Sequence, residues 1–215
     1  MEKRYESDMT RKEKRQNELK KLKSMTFKQK AAYIWEYYKG VFAGIIIACV
    51  IISIGVQMFQ NSQLKSLLSI AVVDSNYNHD EQVEALQNDF LTYAGTGDKH
   101  EVVDVDTSLL SGDDYNAVVK MTVVMGAGTA DMMFCGEETY KKYKQQEAFL
   151  SWKEVLGDDY PKYEEYMTDD GRLDLEKCPN WEKYNMVYYS PVYAVVMSSS
   201  KNLENCIKFL EMMVQ

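Results

Sequence analysis

The pattern of apolar and polar positions divides the chain into three parts. Residues 1–26 are almost wholly polar, and the stretch Gly40–Leu64 contains no charged residue. From Ser69 onward, short apolar runs alternate with amphipathic segments. These textures predict a polar tail, one long apolar helix and a folded domain that contains both strands and helices.

The uncharged stretch has the length and composition of a membrane-spanning helix. A helix needs about 20 apolar residues to cross about 30 Å of hydrocarbon. Gly40–Phe59 is apolar on all sides, whereas a helix in a protein core usually carries one apolar stripe. Trp35 and its neighbouring tyrosines precede it and suit the membrane interface. We therefore expect a helix over residues 27–60, capped by Thr26, with the transmembrane span at about 40–59.

The charge distribution predicts the orientation of this span. Residues 1–39 contain twelve Lys/Arg against six Asp/Glu, and residues 40–215 contain thirteen against twenty-seven. Since basic flanks stay in the cytoplasm, we expect a single-pass protein of the cell membrane with residues 1–26 as a cytoplasmic tail and the C-terminal domain outside the cell. A cleaved signal peptide has a much shorter basic region, so an uncleaved anchor is favoured. The acidic outer part disfavours nucleic acid as a partner.

After a linker at 61–68, residues 69–215 predict one extracytoplasmic α/β domain. Apolar, β-branched runs predict strands at Ser69–Asp74, Glu101–Asp106, Asp131–Cys135, 185–190 and 192–197. Helical spacing predicts helices at 80–94, 114–125, 137–146 and 203–214. The three strand–helix units favour a mixed, mostly parallel sheet flanked by helices.

Two segments resemble the first lobe of bacterial extracytoplasmic solute-binding proteins. One is the small-residue turn Gly126–Asp131, which leads through the strand Met132–Cys135 to the passage Ala148–Trp152. The other is the pattern around Lys201 and Phe209 near the C-terminus. The resemblance implies a type 2 periplasmic-binding-like lobe, and the length of the domain implies a single lobe. The tail-and-span layout is similar to that of small uncharacterised membrane proteins of low-GC Gram-positive bacteria.

The carboxyl ends of the predicted strands are the expected recognition rim, because ligands of open α/β sheets bind there. The rim comprises Asp74, Ser75, Asn76 and Tyr77 after the first strand, Asp106, Thr107 and Ser108 after the second, and Gly136, Glu137, Glu138 and Thr139 after the third.

The first of these loops also begins like a calcium-binding loop, with oxygen-bearing side chains at alternate positions from Asp74. Such a loop needs Gly at its sixth position and Glu at its twelfth, where this chain has His79 and Ala85. We predict instead that Asn78 caps the next helix, with Glu81 as its capping-box partner.

The remaining candidates for chemistry favour a non-catalytic domain without metal or cofactor. The two histidines lie in no catalytic motif, and the spacing of Cys135, Cys178 and Cys206 fits no zinc site. Cys178 and Cys206 either form a disulfide or remain reduced. An envelope enzyme is therefore the less favoured reading.

Methionines and tyrosines are abundant, at thirteen and sixteen. We expect Met132, Met133, Met212 and Met213 to fill the core. The aromatic residues of 160–193 either cover the sheet as a satellite cluster or form a face for sugars, peptides or a protein. We expect a binding or protein-interaction module with an envelope or membrane protein as partner. The alternative is capture of a small solute or peptide for a transporter or sensor.

Overall fold

The computed structural model describes residues 10–215, so the first nine residues of the predicted tail lie outside the described part. The chain divides into two compact units, with the boundary between Ser62 and Gln63. In the first unit, α1 covers Arg11–Ser24 and α2 covers Phe27–Asn61. The Thr26 N–H donates to Gln29 Oε1 at 3.1 Å, so α2 begins where its cap was predicted.

Helix α2 contains a segment, Tyr38–Asn61, that is long and apolar enough to cross a membrane. Its side chains are not buried within the structure, and Ile46 and Ile52 are 64% and 65% exposed. A core helix would bury such residues. The segment includes the whole of the predicted span.

The second unit, Gln63–Gln215, contains a six-stranded sheet and the remaining helices. The strands are β1 Lys65–Val73, β2 Glu101–Leu109, β3 Met132–Cys135, β4 Phe149–Leu150, β5 Leu173–Asp174 and β6 Tyr193–Met197. The helices are α3 Asp80–Ala94, α4 Tyr115–Ala127, α5 Glu137–Lys144, α6 Trp152–Leu156, α7 Trp181–Tyr184 and α8 Leu203–Val214. Short 3₁₀ turns fill much of 157–177.

The sheet is mixed, as predicted, but only part of it is parallel. The strand order is β2-β1-β3-β6, and β1 runs parallel to both β2 and β3. Strand β6 is antiparallel to β3, and β4 and β5 pair antiparallel with its other edge. The expectation of a mostly parallel sheet was therefore too strong. The long irregular segment before β6 is not a crossover helix, so nothing forces that strand to run parallel.

Both faces of the sheet are buried, which explains why its central strands are apolar without alternation. Ile70, Phe134 and Val196 face a core covered by α3, α6, α7 and α8. Ala71 and Met133 face a second core covered by α4 and α5. The four methionines expected in the core are all buried.

Two strand predictions were wrong in detail. Strand β1 begins at Lys65, inside the stretch assigned to the linker, because Leu67 and Leu68 pack in the domain core. Residues 185–190 form no strand and make one isolated bridge, between Ser75 and Val187. This segment lies across the end of β1 instead of alongside a strand, and Pro191 has no N–H to extend a ladder.

The cysteines outside the apolar helix are buried and unpaired. Cys178 and Cys206, which could have formed a disulfide, are free thiols, as is Cys135. Burial raises the pKa of each of these three thiols to about 12. They belong to the core and carry no reactive thiolate at neutral pH.

Candidate functional site

A pocket of about 340 Å³ opens at the carboxyl ends of β1 and β3, and we call it the carboxyl-edge pocket. Its lining comes from three places: the residues that follow the strands, the start of α5, and the segment before β6. The lining residues are Asp74, Ser111, Gly136, Glu137, Glu138, Thr139, Tyr188, Tyr189, Ser190 and Pro191.

Asp74 is held at the pocket by the chain that follows β2. Its backbone is left-handed, with φ of 51°, a conformation that Asp and Asn adopt more readily than most residues. The Asp74 N–H donates to Leu109 O at 2.9 Å, and its Oδ1 accepts from the Ser111 N–H at 3.0 Å. The other carboxylate oxygen has no partner among residues 10–215.

Gly136 allows α5 to begin beside a tyrosine ring. A Cβ at this position would lie 3.3 Å from Tyr189 Cδ2, so the close approach of backbone to ring requires glycine or a displaced ring. The helix begins at Glu137, with Thr139 buried in its first turn. Two acidic side chains at a helix N-terminus are favoured by the helix dipole.

Glu137 is neutralised by two cations. Its Oε2 accepts from Arg172 Nη1 at 2.5 Å, and its Oε1 lies 3.0 Å from Lys141 Nζ. These bonds lower the pKa of Glu137 to about 2. Glu138 is exposed and, in the described part of the chain, has neither a hydrogen bond nor an ion pair. The two neighbouring glutamates thus have different charge environments.

Arg172 does not line the pocket but bonds to Glu137, which does. Its guanidinium stacks between the rings of Tyr140 and Tyr193, at 4.4 Å and 4.0 Å from their centroids. It also bonds to Asp170 at 2.7 Å. Burial raises the pKa of Asp170, but bonds from Thr168, Arg172 and Lys144 outweigh it and lower that pKa to about 2. Only 11% of the Arg172 side chain is exposed, so it is a fixed part of the fold.

Two tyrosines form the remaining wall. Tyr188 is 75% exposed, and its ring meets that of Tyr189 edge to face at 6.1 Å. The Tyr189 hydroxyl is buried and has no hydrogen-bond partner among the described residues. Burial raises the pKa of Tyr189. The segment is tied to the loop after β1, where the Asn76 N–H donates to Met186 O at 2.9 Å.

The predicted rim is therefore divided by the structure. Five of its residues line the carboxyl-edge pocket: Asp74, Gly136, Glu137, Glu138 and Thr139. Ser75 and Asn76 serve the loop instead, since the Ser75 hydroxyl donates to Thr107 O at 2.8 Å and Asn76 Oδ1 accepts from the Asn78 N–H at 3.0 Å. Tyr77 is fully exposed outside the pocket.

The helix-cap prediction for this loop was wrong. Helix α3 is preceded at its N-cap by His79, whose side chain makes no capping bond. The short side chain that bonds in this loop is that of Asn76, whose Oδ1 accepts from the Asn78 N–H and closes a turn just before the helix. A short side chain that bonds its own loop competes with capping of the following helix.

Residues 106–108 lie within β2, because this strand extends to Leu109. Asp106 Oδ1 accepts from the Ser108 N–H at 2.9 Å and lies 3.7 Å from Lys120 Nζ. Neither Asp106, Thr107 nor Ser108 lines the pocket. The residue after β2 that reaches it is Ser111.

Sequence reasoning missed Ser111 and the segment from Tyr188 to Pro191. The signal for the tyrosines was their excess in the acidic C-terminal part, which was too large for one small core. The predicted strand at 185–190 would have directed these side chains alternately to the two faces of the sheet, away from its edge.

A second pocket, of about 330 Å³, lies at the amino end of β3, and we call it the amino-edge pocket. Asp131 is one of its lining residues and is buried. Its carboxylate accepts from the Ser69 N–H at 2.9 Å, the Ser200 hydroxyl at 2.8 Å and Asn202 Nδ2 at 3.0 Å. Gly128, left-handed with φ of 62°, ends α4 against Ser199. The segment Gly126–Asp131 and the C-terminal segment around Lys201, on which the resemblance was based, meet at this pocket. Their hydrogen bonds to each other stabilise the fold.

The described residues of the two pockets form no arrangement of ligands for a metal ion. Within residues 10–215 no group of three or more His, Cys, Asp or Glu side chains could hold one. His100 Nδ1 pairs with Asp98 at 2.9 Å, and His79 contacts Asn76 O, both outside the two pockets.

Neither family models, nor curated proteins, nor solved structures match this chain.

Proposed function

We propose that this protein is a single-pass membrane protein whose α/β domain lies outside the cell and recognises another component of the envelope. The domain acts without catalysis, as a binding or protein-interaction module. The carboxyl-edge pocket is its recognition site. The observation that carries this proposal is that Asp74, Glu138 and Tyr188 line one pocket while the fold leaves much of their polar and aromatic surface unused.

The membrane anchor in this proposal is the segment Tyr38–Asn61. Its exposed apolar surface has no cover among the described residues, and a bilayer would supply one. The basic flank supports a cytoplasmic N-terminus, as the positive-inside rule predicts. The resemblance to a solute-binding lobe agrees with recognition at the carboxyl edge of the sheet.

Capture of a small solute or peptide is the second candidate, and the size of the pocket favours it. Ligand pockets commonly enclose about 300–1,000 Å³, and the carboxyl-edge pocket lies at the lower end of this range. A protein partner could use the same pocket by inserting one side chain.

The orientation is tested by cysteine labelling of the full chain in intact cells. Ser190→Cys should react with a membrane-impermeant maleimide, and Gln16→Cys should react only after the cells are opened. The reverse pattern would reject the proposed topology.

Recognition is tested by placing a photo-crosslinking amino acid at position 188, with position 104 as the matched control. Both sites are exposed, but Asp104 lies on β2 outside the pocket. We expect a defined envelope component to crosslink at 188 and not at 104. Equal crosslinking at both sites, or none at 188, would contradict recognition through the carboxyl-edge pocket.

A further inference from the structure

We propose that the carboxyl-edge pocket binds an organic cation, namely a substituted ammonium or guanidinium group. The group is carried either by a free solute or by a side chain of the partner. This inference rests on the proposed function, because it names the ligand chemistry of the same site.

The first argument is the charge of the lining. Of the ten described residues that line the pocket, three are carboxylates and none is a cation. Glu137 is compensated by Arg172 and Lys141, which contact both of its oxygens. Asp74 receives only a neutral backbone N–H, and Glu138 receives no bond from the described residues. Two carboxylates thus remain without a cation from residues 10–215, and an anionic ligand would be repelled.

The neighbouring ion pairs do not cancel this charge. Arg172, Lys141 and Lys144 are committed to Glu137 and Asp170, and Lys142 pairs with Asp113. Each of these cations already has a carboxylate partner within 3.1 Å. Asp74 and Glu138 are the members of the lining that a ligand can satisfy.

The second argument is the aromatic wall. An ammonium or guanidinium group is attracted to the face of a tyrosine ring within about 6 Å of its centroid. Tyr188 packs edge to face against Tyr189, so part of its surface remains open to solvent beside the carboxylates.

The combination distinguishes an organic cation from a metal ion. A divalent metal needs several oxygen ligands at about 2.0–2.6 Å, and tyrosine rings contribute nothing to such a shell. A substituted ammonium group instead uses both the rings and the carboxylates. A volume of about 340 Å³ accommodates one such head group.

The test is calorimetric titration of the full chain in nonionic polyoxyethylene micelles. The probes are choline, agmatine and a trilysine peptide, and the control is 3,3-dimethylbutan-1-ol, a neutral isostere of choline. We expect at least one cation to bind, and choline to bind more tightly than its neutral isostere. Binding of the peptide alone would assign the cation to a partner side chain, and binding of the small probes alone would assign it to a solute.

Variants then locate the binding to this pocket. Asp74→Asn keeps the left-handed backbone and the bond from Ser111, and Glu138→Gln changes an exposed side chain, so both should fold. Each should weaken cation binding by about twofold to fivefold. Tyr188→Leu should weaken it by a similar factor, about twofold to fivefold. Asp104→Asn removes one charge outside the pocket and should leave binding unchanged.

The outcomes separate the inference from the proposed function. If no cation binds at millimolar concentration, or if the neutral isostere binds as tightly as choline, the cation inference is overturned. It is equally overturned if Asp104→Asn weakens binding as much as Glu138→Gln. Crosslinking at position 188 that persists in any of these cases leaves recognition at the pocket standing with a different ligand.

Discussion

The two ends of the sheet carry pockets of nearly equal size that use their polar groups differently. At the amino edge, the buried carboxylate of Asp131 is bonded to three donors from the domain itself. At the carboxyl edge, Asp74 has one such bond and Glu138 has none from residues 10–215. Each pocket also contains a buried hydroxyl that has no partner in the described part of the chain, from Ser199 and Tyr189, so the hydroxyls do not distinguish the pockets.

The carboxylate of the amino-edge pocket is thus bonded within the domain, whereas the carboxylates of Asp74 and Glu138 in the carboxyl-edge pocket remain available to a ligand. A carboxylate buried with its own donors contributes to stability and is costly to remove. A carboxylate at the surface of a pocket contributes little to stability and remains free to meet a ligand. Volume alone would have ranked the two sites as equivalents.

The largest expected effect concerns the two thiols that lie near the opposite edges, Cys135 and Cys206. A pKa of about 12 lowers their thiolate fraction at pH 8 by about a thousandfold relative to the ordinary value of 9.0. In a Cys49→Ser background, both should therefore react with a thiol reagent far more slowly than in the unfolded chain. Mass-spectrometric mapping of the labelled peptides over time measures this.

The same experiment compares the edges when Asp131→Ala is added. Cys206 lies close to Asp131 and the Ser200 hydroxyl, whereas Cys135 lies at the far end of β3. Because the variant removes the Asp131 hydrogen bonds, it should make Cys206 more accessible and increase its rate of labelling. The labelling rate of Cys135 should remain low. Equal acceleration of both would show that the two edges are one cooperative unit.

Asp131→Ala should also lower the free energy of unfolding by about 3 kcal/mol, because it leaves three donors without their acceptor. Denaturant unfolding of the full chain in micelles, followed by tryptophan fluorescence, measures this change. Trp152 and Trp181 are buried in the domain and report on its core. A loss below about 1 kcal/mol would mean that the Asp131 bonds are replaced by water at little cost.

Substitution of Arg172, which bonds to Glu137 at the carboxyl edge, should lower the free energy of unfolding by a smaller amount and in a pH-dependent way. Arg172→Met should cost about 1–2 kcal/mol, since it removes two ion pairs and the stacking between two tyrosines. Arg172→Lys should restore the charge but not the planar contacts with the rings. In the parent chain, the pKa values of Glu137 and Asp170 are lowered to about 2.

A lowered carboxyl pKa in the folded state stabilises the fold above the unfolded value and loses this contribution as the pH falls. Stability of the parent chain should therefore decrease between about pH 4.5 and pH 2. Arg172→Met should have a shallower decrease over this window, measured by unfolding at several pH values. An unchanged pH profile would contradict the role given to Arg172.

The smallest expected effects are at the rim itself. Asp74→Asn and Glu138→Gln should each change the free energy of unfolding by less than about 0.5 kcal/mol, as surface substitutions usually do. Measured beside Asp131→Ala, they complete the comparison of the two edges. A loss above about 1 kcal/mol from either variant would show that the carboxyl edge also serves the fold.

Features that depend on local composition and periodicity could be predicted from the sequence. The bounds of α3 and α8 agree with the predicted helices, because their apolar residues recur at helical spacing. The long apolar helix and the burial of Met132 and Met133 in β3 were predicted from hydrophobicity alone. Asp74 and the start of α5 were found because parallel strands bring their carboxyl ends to one edge.

Which polar side chains bond within the domain, and which remain available to a ligand, is visible only in the folded chain. The sequence does not reveal that Asp131 meets Ser200 and Asn202, about 70 residues away, or that Glu138 lacks the partner that Glu137 has. It also predicted a strand where Tyr188 and Tyr189 instead cross the end of β1. Hydrogen bonds and charges between distant segments have no periodicity along the chain, so they become visible only when the chain is folded.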